Sequence, residues 1–140
     1  MIRLLYFSQE VTPMTIADVA GVIAVAVPHN AVADITGVLV HSGGVFLQIL
    51  EGTEQAVLSL YLRILQDKRH TDVEIMRVTP IVKRLFEDWS MASIEATPLE
   101  FNQVMKFKSE NFALEEPHEF MDTMHRLLVI LKQPRPAKAQ

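Results

Sequence analysis

The stretch from Thr15 to Val27 limits the fold more than any other. Ile16, Val19, Ala20, Ile23 and Val27 recur at helical spacing and form one apolar stripe. Ala17, Gly21 and Ala24 form a second stripe of small residues beside it, and Val22, Val25 and Ala26 are apolar too. Thr15 with Asp18 three residues on has the form of a capping box, which predicts the helix start. Pro28 is expected to end or kink the helix after about Val27. A helix apolar nearly all round needs cover on more than one side. A sheet can supply one side. A second helix, a partner chain or a flat ligand must supply the other.

The rest of the chain supplies the sheet. Ile2 to Ser8 is an apolar first strand. Ile35 to Val40 is a β-branched strand, His41-Ser42-Gly43-Gly44 a turn signal, and Val45 to Leu50 a strand again. Two strands this close make an antiparallel hairpin. Glu51-Gly52 stops it, and Thr53 caps a second helix with Val57, Leu60, Tyr61 and Ile64 on one face. Asp67-Lys68-Arg69-His70 closes that helix. Val73 to Val78 predicts a fourth strand and Ser90 to Ile94 a fifth. The order β-α-β-β-α-β-β is that of an α+β, ferredoxin-like split βαβ sheet with both helices on one face. Helices near Glu100 to Lys108 and Glu116 to Lys132 are expected to cover the other, the latter through Phe120, Met124, Leu127, Leu128 and Leu131. The expected division is a domain over 1–95, a helical cap of that domain over 96–133 and a frayed tail over 134–140.

Composition excludes several chemistries. The 140 residues are enough for one domain, and the 49% that are apolar are enough for a real core. With no cysteine, disulfides, thiolate metal sites and thiol nucleophiles are excluded. No apolar run reaches the ~18 residues of a membrane span, and the N-terminus reads as a strand rather than a signal peptide. A cytoplasmic location is the expectation. A net charge of −4 argues against nucleic-acid binding. The sequence contains no GxGxxG, Walker loop, HExxH or G-x-S-x-G, and its five histidines show no ligand spacing. The expectation is a protein that is not an enzyme and holds no metal.

A few polar residues interrupt the apolar pattern. Alternation puts Val45, Leu47 and Ile49 on one face of their strand and Phe46, Gln48 and Leu50 on the other. Gln48 is then a buried amide, satisfied either by nearby backbone or by a ligand. Tyr6 shares a face with Ile2 and Leu4, as a packing residue with one hydrogen bond or as a working hydroxyl. Asn30 after Pro28 suits a left-handed helix end, or an amide aimed at a ligand. Arg63, Asp67, Arg69 and His70 suit a solvated helix end, or a polar cuff around a phosphate-bearing tail.

The set resembles the BLUF family, blue-light sensors using FAD, over about Met1 to Ile94. The residues that carry it are Tyr6-Phe7-Ser8, Asn30, Ile35-Thr36-Gly37-Val38-Leu39, Phe46-Leu47-Gln48, Leu50-Glu51-Gly52, Asp67-Lys68-Arg69-His70, and Arg84 with Phe86, Trp89, Ser90 and Met91. The resemblance implies a flavin, FAD with FMN or riboflavin as alternatives, held without a covalent bond between the two helices on one sheet face. It implies that Tyr6 donates an electron and then a proton, and that the Gln48 amide rotates or tautomerises. It places Asn30 at the ring edge and Arg63, Asp67, Arg69 and His70 toward the ribityl-phosphate side. Val22, His29, Phe46, Ile64 and Met91 complete the implied contacts, and Trp89 or Met91 passes the signal from the last strand. Output then needs a surface. The apolar Leu127 to Ile130 run suggests a homodimer or larger ring, and a separate effector protein is expected. The competing account is a flavin-free ferredoxin-like ligand-binding or interaction module.

Overall fold

The computed structural model describes residues 1–105 and 118–133. Five strands, β1 (Ile2–Glu10), β2 (Thr36–Ser42), β3 (Val45–Gly52), β4 (His70–Pro80) and β5 (Ala92–Glu95), form one sheet in the order β4-β1-β3-β2-β5. All neighbours are antiparallel except β2 and β5. Helices α1 (Ile16–Val32), α2 (Glu54–Leu65), α3 (Pro98–Met105) and α4 (His118–Lys132) complete the expected α+β order.

Local chemistry accounts for the corners. The β2–β3 hairpin closes on Ser42 opposite Val45 around Gly43 and Gly44, at φ 56° and 84°, values that favour glycine and match a type I′ loop. Gly37 has a different reason to be glycine. A Cβ there would stand 2.0 Å from the Ile49 carbonyl oxygen, so the β2–β3 approach has no room for one. Thr15 and Asp18 form the expected capping box, and the Thr53 hydroxyl accepts from the Ala56 amide at the start of α2.

The alternation in β3 sorts the core as expected. Leu4, Tyr6, Leu39, Phe46 and Leu50 face α1 and α2, together with Val19, Val57 and Tyr61. Leu5, Phe7, Val38, Leu47 and Ile49 face the other way, and Phe101 of α3 and Met124 and Leu127 of α4 pack there. Leu128 and Leu131 are partly buried in the same cluster. The side chain of Phe120, residues 106–117 and the 134–140 tail lie outside the described residues.

Five expectations need correction. α1 does not end at Pro28 but continues to Val32. Pro28 and Ala24 are both exposed, so the carbonyl that loses its amide partner is open to water. Asn30 is therefore helical, and the left-handed residue that follows is Asp34, at φ 55°. Glu51 does not stop β3; it is a fully buried member of it. Trp89 and Met91 precede β5 rather than lie on it, and His70 opens β4 instead of closing α2.

The cover of α1 is one-sided. Val19 and Asn30 are its buried residues, whereas Ile16, Val25, Val27 and Val32 are exposed. No helix among the described residues is long and apolar enough to cross a membrane.

Candidate functional site

A cleft of about 190 Å³ opens between α1 and α2 above the β1–β3 pair. Val22, Ile23, Val25 and Ala26 of α1 form one wall, and Leu60 and Ile64 of α2 form the other. Leu39 and Phe46 add apolar floor. The polar groups are few and placed apart: Tyr6, Gln48 and Asn30 inside, Asp67, Arg69 and His70 at the α2 end. An apolar slot with a few convergent polar groups is the usual form of a small-molecule site.

Tyr6 and Gln48 meet because β1 and β3 pair them directly across the ladder. The Tyr6 hydroxyl donates to Gln48 Oε1, and both residues are buried. Burial, then the neighbouring Tyr61 and Asp67, push the Tyr6 phenol well above its usual range. The group is therefore held protonated. Gln48 Nε2 points to Met91 Sδ at 3.4 Å. Thioether sulfur is a weak acceptor, so this amide nitrogen is poorly matched in an apolar slot. The Tyr6 ring meets Tyr61 and His70 edge-on, with centroids 5.6 and 6.4 Å away.

His70 is fixed at both nitrogens. Nε2 donates to the Ile64 carbonyl at 2.7 Å, and Nδ1 lies 2.8 Å from the Ser8 hydroxyl, which can serve as donor or acceptor. Asn30 Nδ2 donates to the Ser90 carbonyl at 2.9 Å, which ties the end of α1 to the segment before β5. At the mouth Arg69 folds onto Asp67, with nitrogen–oxygen distances of 2.5 to 3.1 Å. The Arg69 hydrogen bond holds the Asp67 carboxyl down at about 2, and the same bond raises Arg69.

The cleft brings together Tyr6, Val22, Asn30, Phe46, Gln48, Ile64, Asp67, Arg69, His70 and Met91. It does not include His29 or Arg63, which are exposed on the outer sides of α1 and α2. Trp89 is not there either. It packs with the cluster on the opposite sheet face, while Met91 faces Gln48. Sequence reasoning missed Ser8, Met14, Val19, Ile23, Val25, Ala26, Leu39 and Leu60 as lining residues. Ser8 was findable, since it lies two residues from Tyr6 on one strand. Leu39 follows from its pairing opposite Gln48. Among the described residues no group of three or more acidic or histidine side chains could hold a metal ion.

Comparison with known proteins places this geometry. Residues 1–92 match the family described as sensors of blue light using FAD, or BLUF. Photoactivated adenylate cyclase subunit beta of Euglena gracilis is 43% identical over 91 residues, 64% of this chain and 11% of that protein. The chain thus spans about a tenth of the length of the curated relatives it matches. The dark-state structure of the BLUF protein BlrB superposes with a TM-score of 0.71 at 26% identity, covering 93% of this chain and 96% of that one. The BLUF domain of BlrP1 gives 0.66 at 32% identity, covering 91% and 86%. With residues 1–92 of its 140 matched and a like fold in both solved proteins, the chain belongs to the BLUF family of blue-light sensors using FAD.

Proposed function

We propose that this chain is a photoreceptor in which Tyr6 drives a hydrogen-bond switch at Gln48 beside a bound flavin. The observation that carries this is the buried Tyr6–Gln48 bond in the cleft floor, with the amide's other end left on Met91 sulfur. The lining fits the group. The slot is apolar on both walls, as a planar ring needs, and Gln48 Nε2 stands ready to donate to a stronger acceptor than a thioether.

A bound flavin supplies blue-light absorption and an excited state that accepts an electron. The protein's part is then to give that electron and move a proton. Tyr6 is the donor. Its phenolate is disfavoured by burial, so Tyr6 loses its proton with the electron rather than before it. The proton would leave along the existing bond to Gln48 Oε1 as Nε2 gives one up toward the bound flavin, and the reverse transfer would return electron and proton to Tyr6 and leave a neutral amide. The Gln48 amide then rotates. It is planar, with an acceptor at one end and a donor at the other, so rotation exchanges the two at constant volume. Tyr6 afterwards faces an amide nitrogen and Met91 an amide oxygen. Asn30 holds the ring edge, Asp67 and Arg69 hold the ribityl-phosphate side, and FAD is the flavin carried.

Residues 1–95 form the sensing unit in this account, 96–133 a cap that belongs to it, and 134–140 a tail. The cap face carries the signal to a homo-oligomer or to a separate cytoplasmic effector protein. Cyclases are reasonable effectors, since the Euglena relatives are named photoactivated adenylate cyclases. The test is direct. The protein purified with flavin should be yellow, with bands that shift slightly to the red under blue light and revert in the dark. A colourless protein that takes up no added flavin refutes the proposal.

A further inference from the structure

The cleft does not use the most completely buried charge among the described residues. Glu51 is fully inaccessible on the sheet face away from the cleft. Its carboxylate is nonetheless saturated. Oε2 accepts from Arg3 Nε at 2.9 Å and Nη2 at 2.8 Å. The Leu85 amide is shared between the two oxygens at 3.0 and 3.1 Å, and the Phe86 amide donates to Oε1 at 2.7 Å. One buried carboxylate thus joins β1, β3 and the segment between β4 and β5.

That segment has no strand partner of its own over residues 84–91. It is held from outside. Arg84 reaches the Thr36 hydroxyl at 3.2 Å and the Asp34 carbonyl at 2.8 Å. The Trp89 carbonyl accepts from the Gly37 amide, and the Ser90 carbonyl from Asn30. Phe86 is fully buried in the cluster that includes α4, and Trp89 packs against that cluster. Two residues after Trp89, Met91 lies in the cleft on Gln48. Eight residues therefore cross from one face of the sheet to the other. Of the tethers along them, the Glu51 bonds are the charge-assisted ones in the dry interior, where such bonds are strongest.

We propose that Glu51 is a positioning residue for the light response. It fixes Leu85 and Phe86, and through them sets where Ser90 and Met91 stand against Asn30 and Gln48. A change at Gln48 is then delivered to the α4 side by a stiff segment instead of being absorbed by a slack one. This rests on the photoreceptor proposal above.

The test uses the full flavin-loaded chain and Glu51→Asp. Aspartate keeps the charge and the Arg3 pair but is one methylene shorter, so it withdraws from the two amides. Dark-state hydrogen exchange at Leu85 and Phe86 should rise at least about tenfold. The light-induced shift should keep its amplitude, because Tyr6, Gln48 and the flavin are untouched. Dark recovery should be faster by about fivefold or more, as the segment opposing relaxation of Gln48 loosens. Glu51→Gln, which keeps the reach but not the charge, should move recovery in the same direction by a smaller factor. A merely structural Glu51 would lower Tm and leave recovery within about twofold of the parent. That result in either folded variant, or undisturbed exchange at both amides in Glu51→Asp, overturns the proposal. A parent chain with no light-induced shift refutes the photoreceptor proposal instead, and amide exchange still decides whether Glu51 holds the segment.

Discussion

Tyr6→Phe separates the packing role of Tyr6 from its chemical one. The ring is almost wholly buried, and phenylalanine fills the same volume, so no cavity forms. The loss is one hydrogen bond and its consequence: Gln48 Oε1 keeps no donor in a dry site. An unmet buried acceptor costs about 1–3 kcal/mol, and we expect about 2 kcal/mol here. Against a total stability of about 5–15 kcal/mol the variant stays folded. For a domain of this size the loss lowers Tm by about 6 °C. Urea unfolding measures it, run both without flavin and at saturation, since any change in flavin affinity adds its own term. Light-minus-dark spectra measure the second effect. We expect flavin binding to persist and the red shift to vanish, because phenylalanine has neither an electron nor a proton to give. A stability change below about 0.5 kcal/mol would show that the Tyr6–Gln48 bond contributes nothing. An intact photocycle would remove Tyr6 as the donor.

Two further outcomes follow from charges outside the cleft floor. Arg3→Met leaves the buried Glu51 carboxylate without its counter-ion, and breaking such a pair costs about 3–5 kcal/mol; a change under about 1 kcal/mol by urea unfolding would contradict the burial described. Asp67 has its carboxyl lowered to about 2 by Arg69, so its contribution is fully present above the ordinary value of 3.8 and is lost as pH falls through about 2. Arg69 is mostly exposed, so the effect is screened and stays under about 1 kcal/mol; Asp67→Asn should flatten the stability profile between those pH values, and an unchanged slope refutes the assignment.

Much of this was legible because it depended on period. The faces of β3 follow from alternation alone, and Gln48 fell on the cleft side with Phe46 and Leu50 as expected. The apolar girth of α1 called for a second helix, a partner chain or a flat ligand beside it, and α1 does wall a cleft opposite α2. What failed depended on solvent or on distance along the chain. Pro28 did not stop α1, because the carbonyl it orphans is exposed. Trp89 and Met91 are two apart, which on a strand would put them on one face. They precede β5 in irregular chain and point to opposite faces. His29, implied by the resemblance, and Arg63, part of the expected cuff, are both exposed and do not line the cleft. Glu51 beside a glycine read as a strand end; its partners are Arg3, 48 residues earlier, and the amides of 85 and 86. No local pattern contains that.

The sheet order also sets a timetable for synthesis. β1 is made first yet lies in the interior of the sheet, between β3 and β4. Its pairing is incomplete until Pro80 has emerged. At about 5–20 residues per second one of its two edges stays unpaired for roughly 4–14 s after Glu10 is made, although β3 can already occupy the other. Such a segment is an aggregation hazard while it waits, and a charge within it is the usual guard. Arg3 is the one charged side chain in the first eight residues. Before it meets Glu51 in the finished core, Arg3 breaks what would otherwise be an uninterrupted apolar run from Ile2 to Phe7.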